Sequence, residues 1–271
     1  MPQLQRLAIN ADLICDKSIN LTPEQQHYLY RVLRLNQGDK FIAMDGRGHW
    51  WLAVLEAQET GLCASITEEI AVNRELGVEV TLMAALPKGN GFDEVVRQAT
   101  ELGAATIAPV TSDRTLLKPS AQKVDRWKRI ASEAAEQSER QFVPAISEPI
   151  SFDLAVKDCT QKNRYICVAR GDNRHLWDCL ISLEPPQPPK LRGEQELEPH
   201  FVGAVDGACP PPGGELSIVI AIGPEGGWTD GEVKRAIEFG FEPVSLGSRI
   251  LRAVTAPIVA LSLIGAAFEK C

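Results

Sequence analysis

No two cysteines of this chain form a C-x-x-C pair, and the seven that occur (Cys15, Cys63, Cys159, Cys167, Cys179, Cys209 and Cys271) are irregularly spaced. The four histidines are equally scattered. Such a set offers neither a zinc site nor a disulfide framework, so the expectation is no metal and a reducing compartment, the cytoplasm. The opening residues, Met1-Pro2-Gln3-Leu4-Gln5-Arg6, lack the apolar run of a signal peptide. The longest mostly apolar stretch, Ala256 to Phe268, is too short for a bilayer and reads as a buried helix. An excess of positive charge is missing too. The net charge is −8, which argues against a protein held to nucleic acid by bulk charge, while leaving room for a local basic face. Two nucleotide signatures are also absent. No G-K-[ST] follows a glycine loop, and no G-x-G-x-x-G fingerprint occurs, so nucleotide hydrolysis and hydride transfer lose their best support.

What is present is an ordinary globular composition, 44% hydrophobic and 24% charged over 271 residues, enough for two domains with their own cores. Residues 1–72 read as a small β-rich domain, with turn signals at Gly38-Asp39 and Asp45-Gly46 between short apolar runs. One helix interrupts it, starting at Pro23 behind a Thr22 cap, with Tyr28, Leu29, Val32 and Leu33 as its apolar stripe. Arg31 and Arg34, three apart, would share a face of that helix. Residues 73–78 read as a linker. From residue 78 to 271 the pattern alternates strand and helix. Val78 to Leu86, Thr106 to Val110, Arg164 to Ala169, Ser217 to Gly223 and Pro243 to Leu246 are strands. Phe92, Val95, Val96, Ala99 and Leu102 fall at helical spacing ahead of Gly103, and Val124, Trp127, Ala131 and Ala134 mark a second helix. Thr229-Asp230-Gly231-Glu232 is a capping box. The alternation predicts an α/β fold with a parallel sheet covered on both faces. Residues 185–212, holding eight of the 18 prolines, read as a surface insertion.

Two loops carry the chemical interest. Ile222-Gly223-Pro224-Glu225-Gly226-Gly227-Trp228 follows an apolar strand and precedes a capped helix, where glycines let a ligand approach bare backbone. A turn with helix-packing glycines would read the same. Ser245-Leu246-Gly247-Ser248-Arg249-Ile250-Leu251-Arg252 again follows a strand, and its two arginines suit a phosphate or negative charge developing on a base. Either arginine would equally serve as the partner of a carboxylate. Residues 114–129 hold six basic groups, Arg114, Lys118, Lys123, Arg126, Lys128 and Arg129, against Asp125 alone, a phosphate-facing patch or a solvated helix face.

In this order the loops resemble those of the SPOUT class of methyltransferases, and more narrowly the ribosomal RNA small subunit methyltransferase E family. His27-Tyr28-Leu29 with Arg31-Val32-Leu33-Arg34, Gly38-Asp39 and Asp45-Gly46 are similar to that family's PUA-like domain. Lys88-Gly89, Glu101-Leu102-Gly103, Pro109, Ser112 with Arg114, Arg126-Trp127, Glu133-Ala134, Glu136-Gln137-Ser138 and Arg140 resemble its middle segments. The resemblance covers nearly the whole chain. It implies a C-terminal SPOUT domain with a deep trefoil knot, a homodimer built through that domain, and S-adenosylmethionine as cofactor. The implied reaction is methylation of uridine N3 in 16S-type ribosomal RNA of the small subunit. The alternatives are a catalytically impaired knotted RNA-binding protein, a methyltransferase with a different RNA target, or an α/β enzyme that binds a small phosphorylated molecule at Gly223. Within the resemblance, Ala169, Ile222, Gly223, Pro224, Gly227, Leu246, Gly247, Ile250 and Leu251 are assigned to the cofactor. Arg252, Arg249 and Glu225 are assigned to catalysis, and Arg31, Arg34, Lys88, Arg114 and Arg140 to RNA. One departure stands out: where the family usually has Glu two residues after this arginine, the chain has Val254. If that Glu serves as a base or orients Arg252, this chain would be slower or altered in substrate; if it only caps the last helix, Thr255 would take its place.

Overall fold

The computed structural model describes residues 4–58, 61–72, 74–115, 119–183 and 216–269. The proline-rich stretch 185–212, Lys118, Cys209 and Cys271 lie outside the described residues.

The N-terminal sheet is built from β1 (Arg6–Ala8), β2 (Ile14–Cys15), β3 (Ser18–Asn20), β4 (Lys40–Met44), β5 (Trp50–Gln58) and β6 (Gly61–Ile70), in the order β1-β4-β5-β6-β3-β2. All its pairings are antiparallel except β1 with β4. Its core is a single apolar set that includes Ile19, Leu29, Phe41, Ala53 and Leu55, each fully buried. Burying one such aliphatic or aromatic side chain is worth about 1.5–3 kcal/mol. Helix α1 (Pro23–His27) starts as expected: Thr22 and Gln25 form a capping box and Pro23 takes the first helical position. It does not continue as an amphipathic α-helix. Residues Tyr28–Val32 form a π-turn closed by the Leu33 N–H on the Tyr28 carbonyl at 2.9 Å. The extra residue in the turn shifts the side-chain phase. Of the predicted stripe only Leu29 is buried, while Tyr28 and Val32 face solvent. Arg34 has left the helix with φ 57°, so it does not share a helical face with Arg31.

The second sheet is parallel throughout. Its strands are β7 (Glu79–Ala85), β8 (Thr106–Thr111), β9 (Ala145–Ile146), β10 (Ile150–Ser151), β11 (Asn163–Cys167), β12 (Arg174–His175), β13 (Ser217–Ile222) and β14 (Glu242–Ser245). Their order is β10-β8-β7-β13-β11-β14-β12, with β9 also on β8. Helices α2 (Gly91–Glu101), α3 (Ala121–Gln137), α5 (Leu176–Ile181) and α7 (Ala256–Phe268) share one core with Val80, Leu82, Ile218 and Ile220. Helices α4 (Phe152–Lys157) and α6 (Asp230–Glu238) share the other with Met83, Ala85, Val219 and Ala221. Alternate residues of β7 and β13 thus feed opposite cores. That is why β13 from Ile218 and β7 from Leu82 read as continuous apolar runs rather than an alternation. Ala260, Leu261, Ile264 and Phe268 of α7 pack in the first core, and Ser262 and Ala266 are exposed. The Thr255 side chain makes no capping hydrogen bond at its start, so the expected replacement cap is not formed.

A polar joint ties the two sheets together. The C-terminal end of α3 reaches the first sheet: a Glu136 carboxylate oxygen accepts from the Ala8 N–H at 3.3 Å, and Glu139 pairs with Arg6 and Arg74. Arg140, expected to contact RNA, is instead buried in this joint. Its guanidinium pairs with Glu75 at 2.5 Å and donates to the carbonyls of Thr100 and Ala104 at 3.1 and 2.7 Å. With 4% of its side chain exposed, it has no face left for a phosphate. The second Glu75 oxygen accepts from the N–H groups of Gln141 and Phe142 at 2.9 and 3.2 Å.

Candidate active site

In a parallel sheet every strand delivers its chain to the same edge, and ligands settle where those carboxyl ends splay apart. Here β13 and β14 flank β11 in register, so the segments following residues 167, 222 and 245 emerge side by side. They enclose a cavity of about 460 Å³. All nine residues assigned to the cofactor from the sequence line it: Ala169 from the first segment, Ile222, Gly223, Pro224 and Gly227 from the second, and Leu246, Gly247, Ile250 and Leu251 from the third.

The glycines are there for two different reasons. At Gly223 a Cβ would lie 3.2 Å from the Trp228 N and 3.3 Å from its indole, so the loop closes tightly only without a side chain. Gly247 has φ +111°, a backbone that side chains disfavour, and a Cβ there would meet nothing within 4 Å. Between them the Gly227 N–H closes a turn on the Pro224 carbonyl at 2.8 Å. The result is bare backbone beside apolar walls from Ile222, Val168, Leu246 and Leu251. Trp228, stacked on Phe152 with centroids 4.1 Å apart, is a further wall residue, and its buried indole N–H has no hydrogen-bond partner among the described residues. Bare amides, apolar walls and a spare donor suit a ligand that joins an aromatic ring to a polar chain.

Neighbouring loops hold the glycine loop in place. The Lys88 N–H donates to Glu225 Oε1 at 3.0 Å, and Arg114 Nη1 donates to the Gly226 carbonyl. Behind the loop, Glu232 is 1% exposed. It closes the α6 capping box with Thr229 and also accepts from the Asp113 N–H at 2.9 Å. Arg235 spans Asp113 and Asp153 at 3.5 and 2.7 Å.

Of the residues assigned to catalysis, Arg249 and Glu225 line the cavity and Arg252 does not, although Arg252 is exposed at the end of the same loop. The Arg252 carbonyl accepts from the N–H groups of Thr255 and Ala256, both at 2.9 Å, which starts α7. Val254 packs against Gly91 and the first core, and it is absent from the cavity wall. The RNA candidates are dispersed. Arg31 and Arg34 lie on the first sheet's π-turn segment. Lys88 and Arg114 sit at the glycine loop, and Arg114 forms part of the cavity wall. Within the basic stretch, Arg126 is engaged by Asp93 at 2.9 Å, while Lys128 and Arg129 are exposed. Sequence reasoning missed Cys167, Val168, Arg170, Asp230, Val233, Ala253 and Ala256 as wall residues. Their signal was adjacency, since each lies within a few residues of Ala169 or of one of the two loops. Among the described residues no group of three or more His, Cys, Asp or Glu side chains could hold a metal ion. No helix among them is long and apolar enough to cross a membrane.

Comparison with known proteins agrees with this geometry. A family model described as an RNA methyltransferase domain matches residues 74–187 and 196–265, and one described as an RNA methyltransferase PUA domain matches 21–66. The chain is 42% identical to the ribosomal RNA small subunit methyltransferase E of Synechocystis, over 98% of this chain and 78% of the relative. It is 31% identical to the Bacillus subtilis protein of that name, over 91% and 89%. Among solved structures, a ribosomal RNA small subunit methyltransferase E from Neisseria gonorrhoeae bound to S-adenosyl methionine aligns with a TM-score of 0.78 at 26% identity, covering 98% of both chains. Two matching domain models, sequence likeness along almost the whole length and a fold with its cavity at the expected sheet edge place this chain in the ribosomal RNA small subunit methyltransferase E family.

Proposed function

We propose that this protein binds S-adenosylmethionine in the cavity at the carboxyl edge of the parallel sheet and methylates N3 of a uridine in small-subunit ribosomal RNA. The observation that carries the reading is the convergence of all nine sequence-assigned cofactor residues, from three separate chain segments, on one cavity. Bare backbone at Gly223, Gly227 and Gly247 would take the polar parts of the cofactor, and Ile222, Leu246, Ile250 and Leu251 its adenine. When bound, the cofactor supplies an electrophilic methyl group, so the protein's share is orientation and electrostatics. Uracil N3 carries a proton that must leave. A guanidinium beside the uracil oxygens favours the resulting anion. Arg249, on the cavity wall, is the candidate for that role, and Arg252, at the end of the loop, the candidate for reaching an RNA substrate lying across the mouth. Glu225 is the candidate proton acceptor; the Lys88 N–H on one of its oxygens keeps the carboxylate at the rim.

The same reading takes residues 1–72 as the RNA-binding domain and residues 78–271 as the methyltransferase domain, threaded as a deep trefoil knot. The protein would work as a homodimer on the small ribosomal subunit in the cytoplasm. Val254 in place of Glu raises the rival reading of an RNA-binding protein that has lost activity. Its packing on Gly91, away from the cavity wall, supports the catalytic reading instead. Isothermal titration with S-adenosylmethionine, followed by mapping of modified uridines in ribosomal RNA from a strain lacking the protein, tests the proposal. Absence of cofactor binding, or an unchanged modification map, would overturn it.

A further inference from the structure

The segment after α1 is costly in three ways at once. The π-turn Tyr28–Val32 abandons regular helix geometry, and such turns concentrate at functional positions. Arg34 adopts φ 57°, which costs a residue with a side chain about 1–2 kcal/mol. The turn also exposes Tyr30 by 48% and Val32 by 58%, and leaves Tyr28 38% exposed. Leu29 is buried in the core, and Leu33 and Leu35 pack against it. Core packing accounts for these three leucines and leaves the outward-facing side chains without a structural use. Backbone strain that the surrounding structure maintains points to a use for the surface it creates.

The surface has a definite chemistry. The Arg31 guanidinium lies 5.3 Å from the centroid of the Tyr30 ring, which fixes both side chains in a shared orientation. The guanidinium groups of Arg31 and Arg34 have no carboxylate partner among the described residues. Two free cations beside an exposed, pre-oriented tyrosine suit a chain that alternates negative charge with flat rings. Unpaired RNA is such a chain: splayed bases stack on aromatic and guanidinium planes while cations take the phosphates. A protein partner would need apolar area without the surplus positive charge.

We propose that the π-turn is a stacking platform for an unpaired base of the RNA substrate, with Tyr30 as the stacking ring and Arg31 and Arg34 as phosphate contacts. The platform rests on the RNA-modifying reading above and adds that the RNA bound by the first domain is single-stranded at this point.

The test uses the full-length protein with two labelled probes, a single-stranded RNA 12-mer and a duplex of the same length, titrated at several salt concentrations. Tyr30→Ala is expected to weaken the single strand about tenfold, the lower part of the range for one base on one ring. It should leave the salt slope and duplex binding unchanged. Tyr30→Phe keeps the ring and should stay within about twofold of the parent. Arg31→Ala should lower the salt slope by about one phosphate contact. Unchanged single-strand binding by Tyr30→Ala, or an equal loss on both probes, would overturn the platform while leaving the RNA-modifying reading in place. Intact RNA affinity with weakened binding to ribosomal proteins would assign the surface to a protein and also overturn it. A parent that binds neither probe would overturn the platform, while the RNA-modifying reading is decided separately by cofactor titration and the modification map. Thermal unfolding and cofactor titration of each variant show whether the fold is intact.

Discussion

Replacing Glu75 by Ala is expected to cost this protein more stability than any surface ion pair would. Glu75 lies in the polar joint between the sheets, with 12% of its side chain exposed, facing an Arg140 with 4% exposed. Removing the carboxylate leaves a guanidinium buried with two carbonyl partners and no counter-charge, a change that costs about 3–5 kcal/mol in comparable settings. The N–H groups of Gln141 and Phe142 lose their acceptor in the same step, each worth about 1 kcal/mol. At roughly 2–4 °C per kcal/mol for a chain of this size, Tm should fall by about 10 °C or more. The double variant Glu75→Leu/Arg140→Met should recover part of that loss, because an apolar pair of similar volume removes the stranded charge. It should not recover all of it, since the two backbone donors stay unsatisfied. Thermal unfolding followed by circular dichroism reads both. A Glu75→Ala protein melting within about 2 °C of the parent, or a double variant no more stable than the single, would refute this account of the joint.

Gly247→Ala places a side chain on a backbone at φ +111°, so the loop must shift although nothing crowds the new methyl group; cofactor affinity measured by calorimetry should drop about tenfold or more with little change in Tm. Arg249→Ala and Arg252→Ala should both lower kcat more than cofactor affinity, with the larger effect at Arg249 because it lines the cavity; normal turnover in both would remove charge stabilisation from the mechanism. Alkaline stability should reflect the acids that burial pushes up, with Cys179 and Tyr165 among them beside the Cys63, Cys159 and Cys167 thiols. Burial, with the charge of Glu242 adding to it, pushes the Cys179 thiol up to about 11 from an ordinary 9.0. Burial, then the neighbouring Cys179 and Glu242, pushes the Tyr165 hydroxyl up to about 12 from 10.0. The unfolded chain therefore releases these protons first. Stability is full below pH 9 and declines as pH rises through about 12, and Cys179→Ala should flatten the first part of that decline. An unchanged slope in Cys179→Ala would sink the assignment.

The parts of the fold that were legible in the sequence are those where local signals and tertiary packing agree. The strands β7 and β13, the capping box at Thr229 and the stop at Gly103 all appear where composition and spacing put them. The residues lining the cavity were legible for a related reason: in a parallel sheet, the residue after each strand's end is already at its carboxyl edge. Arg140 was misread because its charge says nothing about the acid that neutralises it, 65 residues earlier in the chain. The Tyr28–Val32 turn was misread because a π-turn adds one residue per turn without any signature in the side chains. Arg114 was read as an RNA contact, yet its bond to the Gly226 carbonyl, 112 residues away, depends on two loops that only the completed sheet brings together.

That dependence has a consequence for how the protein matures. The cavity has no precursor in any local segment, since its three walls begin at residues 167, 222 and 246 and meet only once β13 lies between β7 and β11 and β14 has docked on β11. Closing loops of that length is slow, and little of the cavity exists until the last strand is seated. A ligand of this cavity would therefore recognise the finished chain and no intermediate on the way to it. Adding the cofactor during refolding should raise the final yield without speeding the early phases, so the cavity serves as a late marker of correct assembly.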